Sequence, residues 1–184
     1  MKKITIYCGA NTGNNPIYKE GSLALAKELV DRELDLVYGA GKVGLMGIMA
    51  DYMLTAGRNV YGIIPQKLVD IEVAHQGCTE LTVVETMRDR KWLMAERGDG
   101  FVAMPGGIGT LEELFEVMTL NQLAYMRKPL ALYNVNGYYD QLISFLDFSR
   151  QEGFIKDQQM APLIISDDPR ELVDAMARFI TPSA

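Results

Sequence analysis

The sequence predicts a single α/β domain over residues 1–184, a doubly wound parallel sheet of Rossmann type. Three observations lead there. Short apolar runs bounded by Gly, Pro, Asp or Asn alternate with longer segments of helical spacing. Glycine-bearing loops follow three of those runs. The 184 residues suffice for one sizeable core but are too few for two ordinary domains. Alternating strands and helices require parallel strands with crossover helices on both faces. Ligands of such sheets bind beyond the carboxyl ends of the strands.

The first strand is Ile4–Tyr7, closed by Cys8-Gly9, and a helix over Tyr18–Arg32 follows it. Leu34–Tyr38 is the second strand, closed by Gly39, with a helix over Leu45–Ala56 behind it. Val60–Ile64 is the third, stopped by Pro65. Leu81–Val84 is the fourth and precedes a helix over Met87–Arg97. Phe101–Met104, between Gly100 and Pro105, is the fifth and leads into a helix over Thr110–Tyr125. Leu130–Tyr133 is the sixth, and helices over Tyr138–Glu152 and Pro169–Ile180 complete the pattern. No repeat or linker interrupts it, and Thr181–Ala184 reads as a loose tail.

Composition narrows the function. Hydrophobic residues at 48% and charged residues at 23% describe an ordinary globular protein. A net charge of −6 argues against a sequence-independent grip on nucleic acid, which needs a basic surface. Cys8 and Cys78 form no CxxC pair, so neither zinc nor a disulfide framework is indicated. No signal-peptide core and no apolar span of membrane length is visible, so the expected location is the cytoplasm, away from membranes.

The glycine loops are Cys8-Gly9-Ala10-Asn11-Thr12-Gly13, Gly39–Gly47 and Pro105–Thr110. All three should meet at one edge of the sheet and form a nucleotide or phosphate crevice, with Gly9, Gly41 and Gly106 as candidate contacts. The second loop spells GxGxxG at Gly39, Gly41 and Gly44, but the next strand ends Tyr61-Gly62-Ile63-Ile64-Pro65 without the acid that binds ribose hydroxyls in dinucleotide sites. An NAD-dependent oxidoreductase is therefore disfavoured. No GxxxxGK[ST] loop is present, so ATP-dependent phosphoryl transfer lacks its usual device.

Charge is concentrated beside these loops. Arg88, Arg90 and Lys91 open a helix, against the dipole preference, which an anion bound there would explain. Glu112, Glu116 and Thr119 share one face of the helix after Pro105, with Glu113 about 100° round the axis. Acids beside a phosphate loop repel the ligand unless cations such as Arg90 and Lys91 offset them. A carboxylate held near a bound sugar can stabilise positive charge at ribose C1′ or activate a water. His75, the only histidine, has no nucleophile motif beside it, and no GxSxG elbow occurs, so it reads as structural or binding. The eleven methionines read mainly as core filler.

At these residues the chain resembles the LOG (Lonely Guy) family of cytokinin riboside 5′-monophosphate phosphoribohydrolases, whose members often carry a lysine decarboxylase label. The motif PGGxGTxxE is complete as Pro105-Gly106-Gly107-Ile108-Gly109-Thr110-Leu111-Glu112-Glu113. The resemblance extends to the Cys8 and Gly39 loops, Glu72–Gly77, Arg90-Lys91 and Asn134-Val135-Asn136-Gly137-Tyr138-Tyr139. It implies Arg90 and Glu113 as the catalytic pair. It also implies Lys91, Gly107, Ile108, Gly109, Thr110, Leu111, Glu112 and Thr119 as nucleotide-binding positions, and a homodimer with shared sites. This chain departs from the family's usual form in three places: Arg88 replaces a histidine, Ala40 a glycine, and Ala10-Asn11 a pair of serines.

The expected reaction is hydrolysis of the N-glycosidic bond of AMP or an N6-substituted analogue, giving free base and ribose 5-phosphate, with no metal and no cofactor. A pyridoxal decarboxylase would need a Schiff-base lysine with a partner for the pyridine nitrogen, and none is suggested. The alternative is a nucleotide-binding sensor or carrier without turnover.

Overall fold

The short apolar runs pair with one another because the central ones are too hydrophobic to leave either face in water. The computed structural model describes residues 1–69, 74–160 and 162–180. Its strands are β1 (Lys3–Tyr7), β2 (Asp35–Tyr38), β3 (Val60–Pro65), β4 (Glu80–Val84), β5 (Gly100–Ala103), β6 (Leu130–Tyr133) and β7 (Leu163–Ser166). All pair in parallel, in the order β4-β3-β2-β1-β5-β6-β7. The winding direction reverses between β1 and β5, and this is where a doubly wound sheet opens a crevice.

The helices are α1 (Ile17–Asp31), α2 (Gly44–Thr55), α3 (Gln66–Val69), α4 (Met87–Arg97), α5 (Ile108–Gln122), α6 (Asp140–Gln151), α7 (Asp157–Met160) and α8 (Pro169–Ile180). Strand alternation divides the core in two. Ile4 and Ile6 of β1 pack with Leu25 and Leu29 of α1, Met49 and Met53 of α2, and Leu172 and Met176 of α8. Tyr7 points the other way, with Met94 of α4, Leu114 and Val117 of α5, and the flanking Leu142 and Ile143 of α6. Each fully buried Leu or Met side chain contributes about 1.5–3 kcal/mol. Met49, Met53, Met94 and Met176 thus serve as core filler.

All six expected strands and all six expected helices form, and the differences have local causes. Helix α5 starts at Ile108 rather than Thr110, because Gly107 takes the extended N-cap conformation. It stops at Gln122, because Ala124 adopts φ 60° and the amides of Ala124 and Tyr125 fold back on Asn121 and Leu120. Helix α6 starts at Asp140 rather than Tyr138. Val135–Gly137 forms a 3-10 turn with Asn136 at φ 53°, and the Asn134 side chain accepts from Tyr139 N and donates to Asp140 Oδ1, both at 2.7 Å. The edge strand β7 and the single-turn helices α3 and α7 add to the sequence reading. Glu72, Val73 and the Thr181–Ala184 tail lie outside the described residues. No helix among the described residues is long and apolar enough to cross a membrane.

Candidate active site

Because β2, β1 and β5 are neighbours, their three glycine loops meet at one edge of the sheet, as expected. The loops bond to one another: Gly9 N donates to Pro105 O at 3.1 Å, and Gly9 O accepts from Leu45 N at 3.1 Å. The approach is close enough that a Cβ at Gly44, which has φ 64°, would sit 2.2 Å from the Ala10 carbonyl carbon. Between the loops lies a cavity of about 380 Å³. Its apolar wall includes Leu45, Met46, Met87 and Met94, and its polar wall includes Asn11, Thr12, Thr110, Arg90, Lys91 and Glu113.

At one end the cavity meets the start of α5. Gly107 caps that helix without a side-chain bond, and the first-turn amides of Ile108, Gly109 and Thr110 have no acceptor among the described residues. Among the described residues a Cβ at Gly107 or Gly109 would meet nothing within 4 Å, so the backbone there is open to a ligand. Unpaired amides at the positive end of a helix dipole form an anion site.

Arg90 is only 7% exposed. Thr86 caps α4 by accepting from Asp89 N at 3.1 Å, which turns Arg90 inward. Its Nε donates to Ile63 O at 3.2 Å and its Nη2 to Gly39 O at 2.9 Å, so carbonyls at the ends of β3 and β2 hold the guanidinium. Among the described residues no carboxylate forms an ion pair with it. Its Nη1 donates to Met87 Sδ at 3.9 Å, and a buried cation held by carbonyls and a thioether keeps its charge available to a ligand. Lys91 behaves differently. Its Nζ reaches Glu112 at 2.7 Å and Glu116 at 3.2 Å, and these two acids, Glu112 foremost, raise its affinity for a proton. The expected offset of acids by cations is therefore carried by Lys91, while Arg88 points into solvent.

Glu113 lies in the same cavity, where loss of hydration pushes its carboxyl up to about 7. Arg90 and Lys91 pull that value down, and Glu112 and Glu116 push it up. Burial also raises the neighbouring Cys8 thiol, with Glu113 adding to the effect, so the thiol stays protonated. Tyr138 went unremarked as an individual residue in the sequence. Its hydroxyl donates to Gly106 O at 2.5 Å, and its ring meets Tyr18 edge-on at 5.7 Å, so it borders the cavity. The hint was its place in the Asn134–Tyr139 segment that carries part of the family resemblance, directly after an Asn-Gly turn.

Gly9, Arg90, Lys91, Gly106, Gly107, Gly109, Thr110, Glu112 and Glu113 thus come together around one cavity. Four expected contacts do not line it within one chain. Gly41 instead bridges to Ala74, with the Met46 side chain on its open side. The Ile108 side chain is 82% exposed, and Leu111 packs against the core beneath α5. Thr119 faces outward and donates back to Phe115 O at 2.8 Å. Among the described residues no three His, Cys, Asp or Glu side chains are grouped to hold a metal ion.

A family model described as "possible lysine decarboxylase" matches residues 46–176. The chain is 42% identical over 179 residues to a cytokinin riboside 5′-monophosphate phosphoribohydrolase of Arabidopsis thaliana, covering 97% of this chain and 82% of that one. It is also 42% identical over 180 residues to one of Oryza sativa subsp. japonica, covering 98% and 74%. Among solved structures, the molybdenum cofactor binding protein of Rippkaea orientalis aligns with a TM-score of 0.73 at 20% identity, covering 98% of each chain. A Moco carrier protein of Chlamydomonas reinhardtii aligns with a TM-score of 0.71 at 16% identity, covering 99% of each. Both likenesses are of fold.

Proposed function

The chain belongs to the LOG family of cytokinin riboside 5′-monophosphate phosphoribohydrolases, and on that premise we propose how its cavity performs the reaction. The enzyme cleaves the N-glycosidic bond of N6-substituted adenosine 5′-monophosphates, and AMP is its parent substrate. Water adds at ribose C1′ as the bond to the base breaks, giving ribose 5-phosphate and free base.

The observation that carries the assignment of roles is a carboxyl raised to about 7 in one cavity with a buried guanidinium that has no ion-pair partner among the described residues, one turn along α5 from the open amides at its start. The amides of Ile108, Gly109 and Thr110 take the 5′-phosphate, assisted by Lys91. Glu113 faces C1′, where its carboxylate stabilises the positive charge of the departing sugar and accepts the proton of the attacking water. A base with a pKa near neutrality is efficient at pH 7. Arg90 orients the nucleotide and compensates negative charge at the reacting centre. The one lysine lining the cavity among the described residues, Lys91, is held charged by two carboxylates, which disfavours the neutral amine that a Schiff base requires.

A homodimer completes this reading. Phe115, Leu123 and Tyr125 on and after α5 are exposed, and Thr119 shares that outward surface, which suits contact with a second copy. The free thiols Cys8 and Cys78 suit the cytoplasm, and the acidic balance argues against nucleic acid as a partner.

Incubation with AMP and with N6-prenylated AMP tests the assignment. Free base and ribose 5-phosphate are expected from the natural protein, and none from Glu113→Ala, which should still bind nucleotide. Unchanged base release by Glu113→Ala would remove Glu113 from the mechanism.

A further inference from the structure

His75 lies outside the cavity, yet its bonds lead to Arg90. Its backbone N–H donates to Ala40 O at 2.9 Å, while Ala74 bridges to Gly41. Its ring is fixed at both nitrogens. Nδ1 accepts from Gly77 N at 3.1 Å, so Nε2 carries the hydrogen and donates to Asp51 Oδ1 on α2 at 2.9 Å. The segment so clasped covers the Gly39–Gly41 loop, whose Gly39 carbonyl holds Arg90 Nη2.

That loop needs holding. Ala40 is fully buried at φ 59°, a left-handed conformation that is unfavourable for a residue with a Cβ and persists only where its surroundings over-determine it. The carbonyl of this strained residue is the acceptor for His75 N. The Gly39 backbone lies so close to the guanidinium that a Cβ there would stand 1.9 Å from Nη2. Any relaxation of the loop therefore moves Arg90.

We propose that His75, braced by Asp51, is a positioning residue that holds the Gly39–Gly41 loop and through it sets the Arg90 guanidinium beside Glu113. The inference rests on the roles given above to Arg90 and Glu113. The charged groups that act on Glu113 are Arg90 and Lys91 from α4 and Glu112 and Glu116 from α5, and from β1 and its loop the neutral Tyr7 hydroxyl and Cys8 thiol feel its charge in turn. Of these, Arg90 is the one the loop controls, and it lowers the Glu113 value. Its displacement raises that value further.

The test compares the natural protein with His75→Ala, His75→Asn and Asp51→Asn by two readouts. The first is a carbon NMR titration of the Glu113 carboxyl, which needs no turnover. Its midpoint is expected to rise by about half a unit or more in His75→Ala. The second is base release from AMP, where kcat is expected to fall roughly ten- to hundredfold with KM within about threefold. His75→Asn, whose Oδ1 replaces Nδ1 as acceptor for Gly77 N, should recover part of both effects, and Asp51→Asn should show a smaller version of them. An unmoved Glu113 titration in folded His75→Ala overturns the inference, even if the variant melts earlier. Failure of the natural protein to release base would instead count against the proposed reaction, with the titration still deciding the positioning.

Discussion

Replacing Gly39 by Ala adds one methyl group at the most crowded point of the site. Its Cβ would lie 1.9 Å from Arg90 Nη2 and 2.9 Å from Cζ. Ordinary contact begins near 3.4 Å, so guanidinium and loop must part by about 1.5 Å. The 2.9 Å bond from Nη2 to Gly39 O is then lost, and a hydrogen bond from a charged donor is worth about 1.5–3 kcal/mol. A displacement of that size at a catalytic group costs roughly a hundredfold in rate, or about 2.7 kcal/mol of transition-state stabilisation. Base release from AMP, followed by chromatography across about pH 5 to 9, should therefore show kcat reduced roughly a hundredfold. The acid limb, on which activity is lost as Glu113 is protonated, should move to higher pH because Arg90 no longer lowers its pKa. Gly107→Ala is the control, because its Cβ meets no atom of the described residues within 4 Å. It should leave stability unchanged and raise KM by crowding the bound phosphate. Near-normal kcat in a folded Gly39→Ala enzyme would refute the role given to the Arg90 geometry.

Glu113→Gln should abolish turnover and yet stabilise the protein at alkaline pH. The natural carboxyl is raised in the folded state to about 7 from 4.5, so stability falls as pH rises through that window and levels off above it. Discounted for partial solvent access, the variant should gain about 1–3 kcal/mol at pH 8 and nothing near pH 4, as measured by denaturant melts at both values. Tyr138→Phe removes the hydroxyl that bonds Gly106 O, and the loss of about 1 kcal/mol should appear as a several-fold higher KM with kcat nearly retained. Lys91→Met leaves Glu112 and Glu116 facing the phosphate unneutralised, so KM should rise at least about tenfold, and Glu112→Gln in the same chain should restore part of the affinity.

The central sheet was readable because β1, β2, β5 and β6 are buried on both faces and appear in the chain as short, mostly apolar runs, interrupted only by residues such as Thr5 and Asp35. The strand β7 was not, because Leu163–Ser166 is four residues long, lies at an edge and leaves Ile165 42% exposed. The site divides in the same way. The glycine turn and Glu113 stand together in one motif, and the acids could be seen to need a cation. Which cation would meet them could not be seen, because Arg88, Arg90 and Lys91 are near neighbours in sequence but point into solvent, into the cavity beside the Gly39 loop and toward α5, respectively. Tyr138 depended on a left-handed Asn136, a backbone choice that composition does not announce.

The bond from Gly9 N to Pro105 O joins residues nearly a hundred positions apart, across the strand pair where the winding reverses. Because β1 gains its second neighbour only when β5 arrives, the cavity has no early, local precursor during folding. A nascent chain must have passed Tyr138 before every wall is available, and until then the glycine loop after β1 has nothing to close against. Catalytic competence in this protein is therefore acquired late in synthesis, by the joining of two separately wound halves.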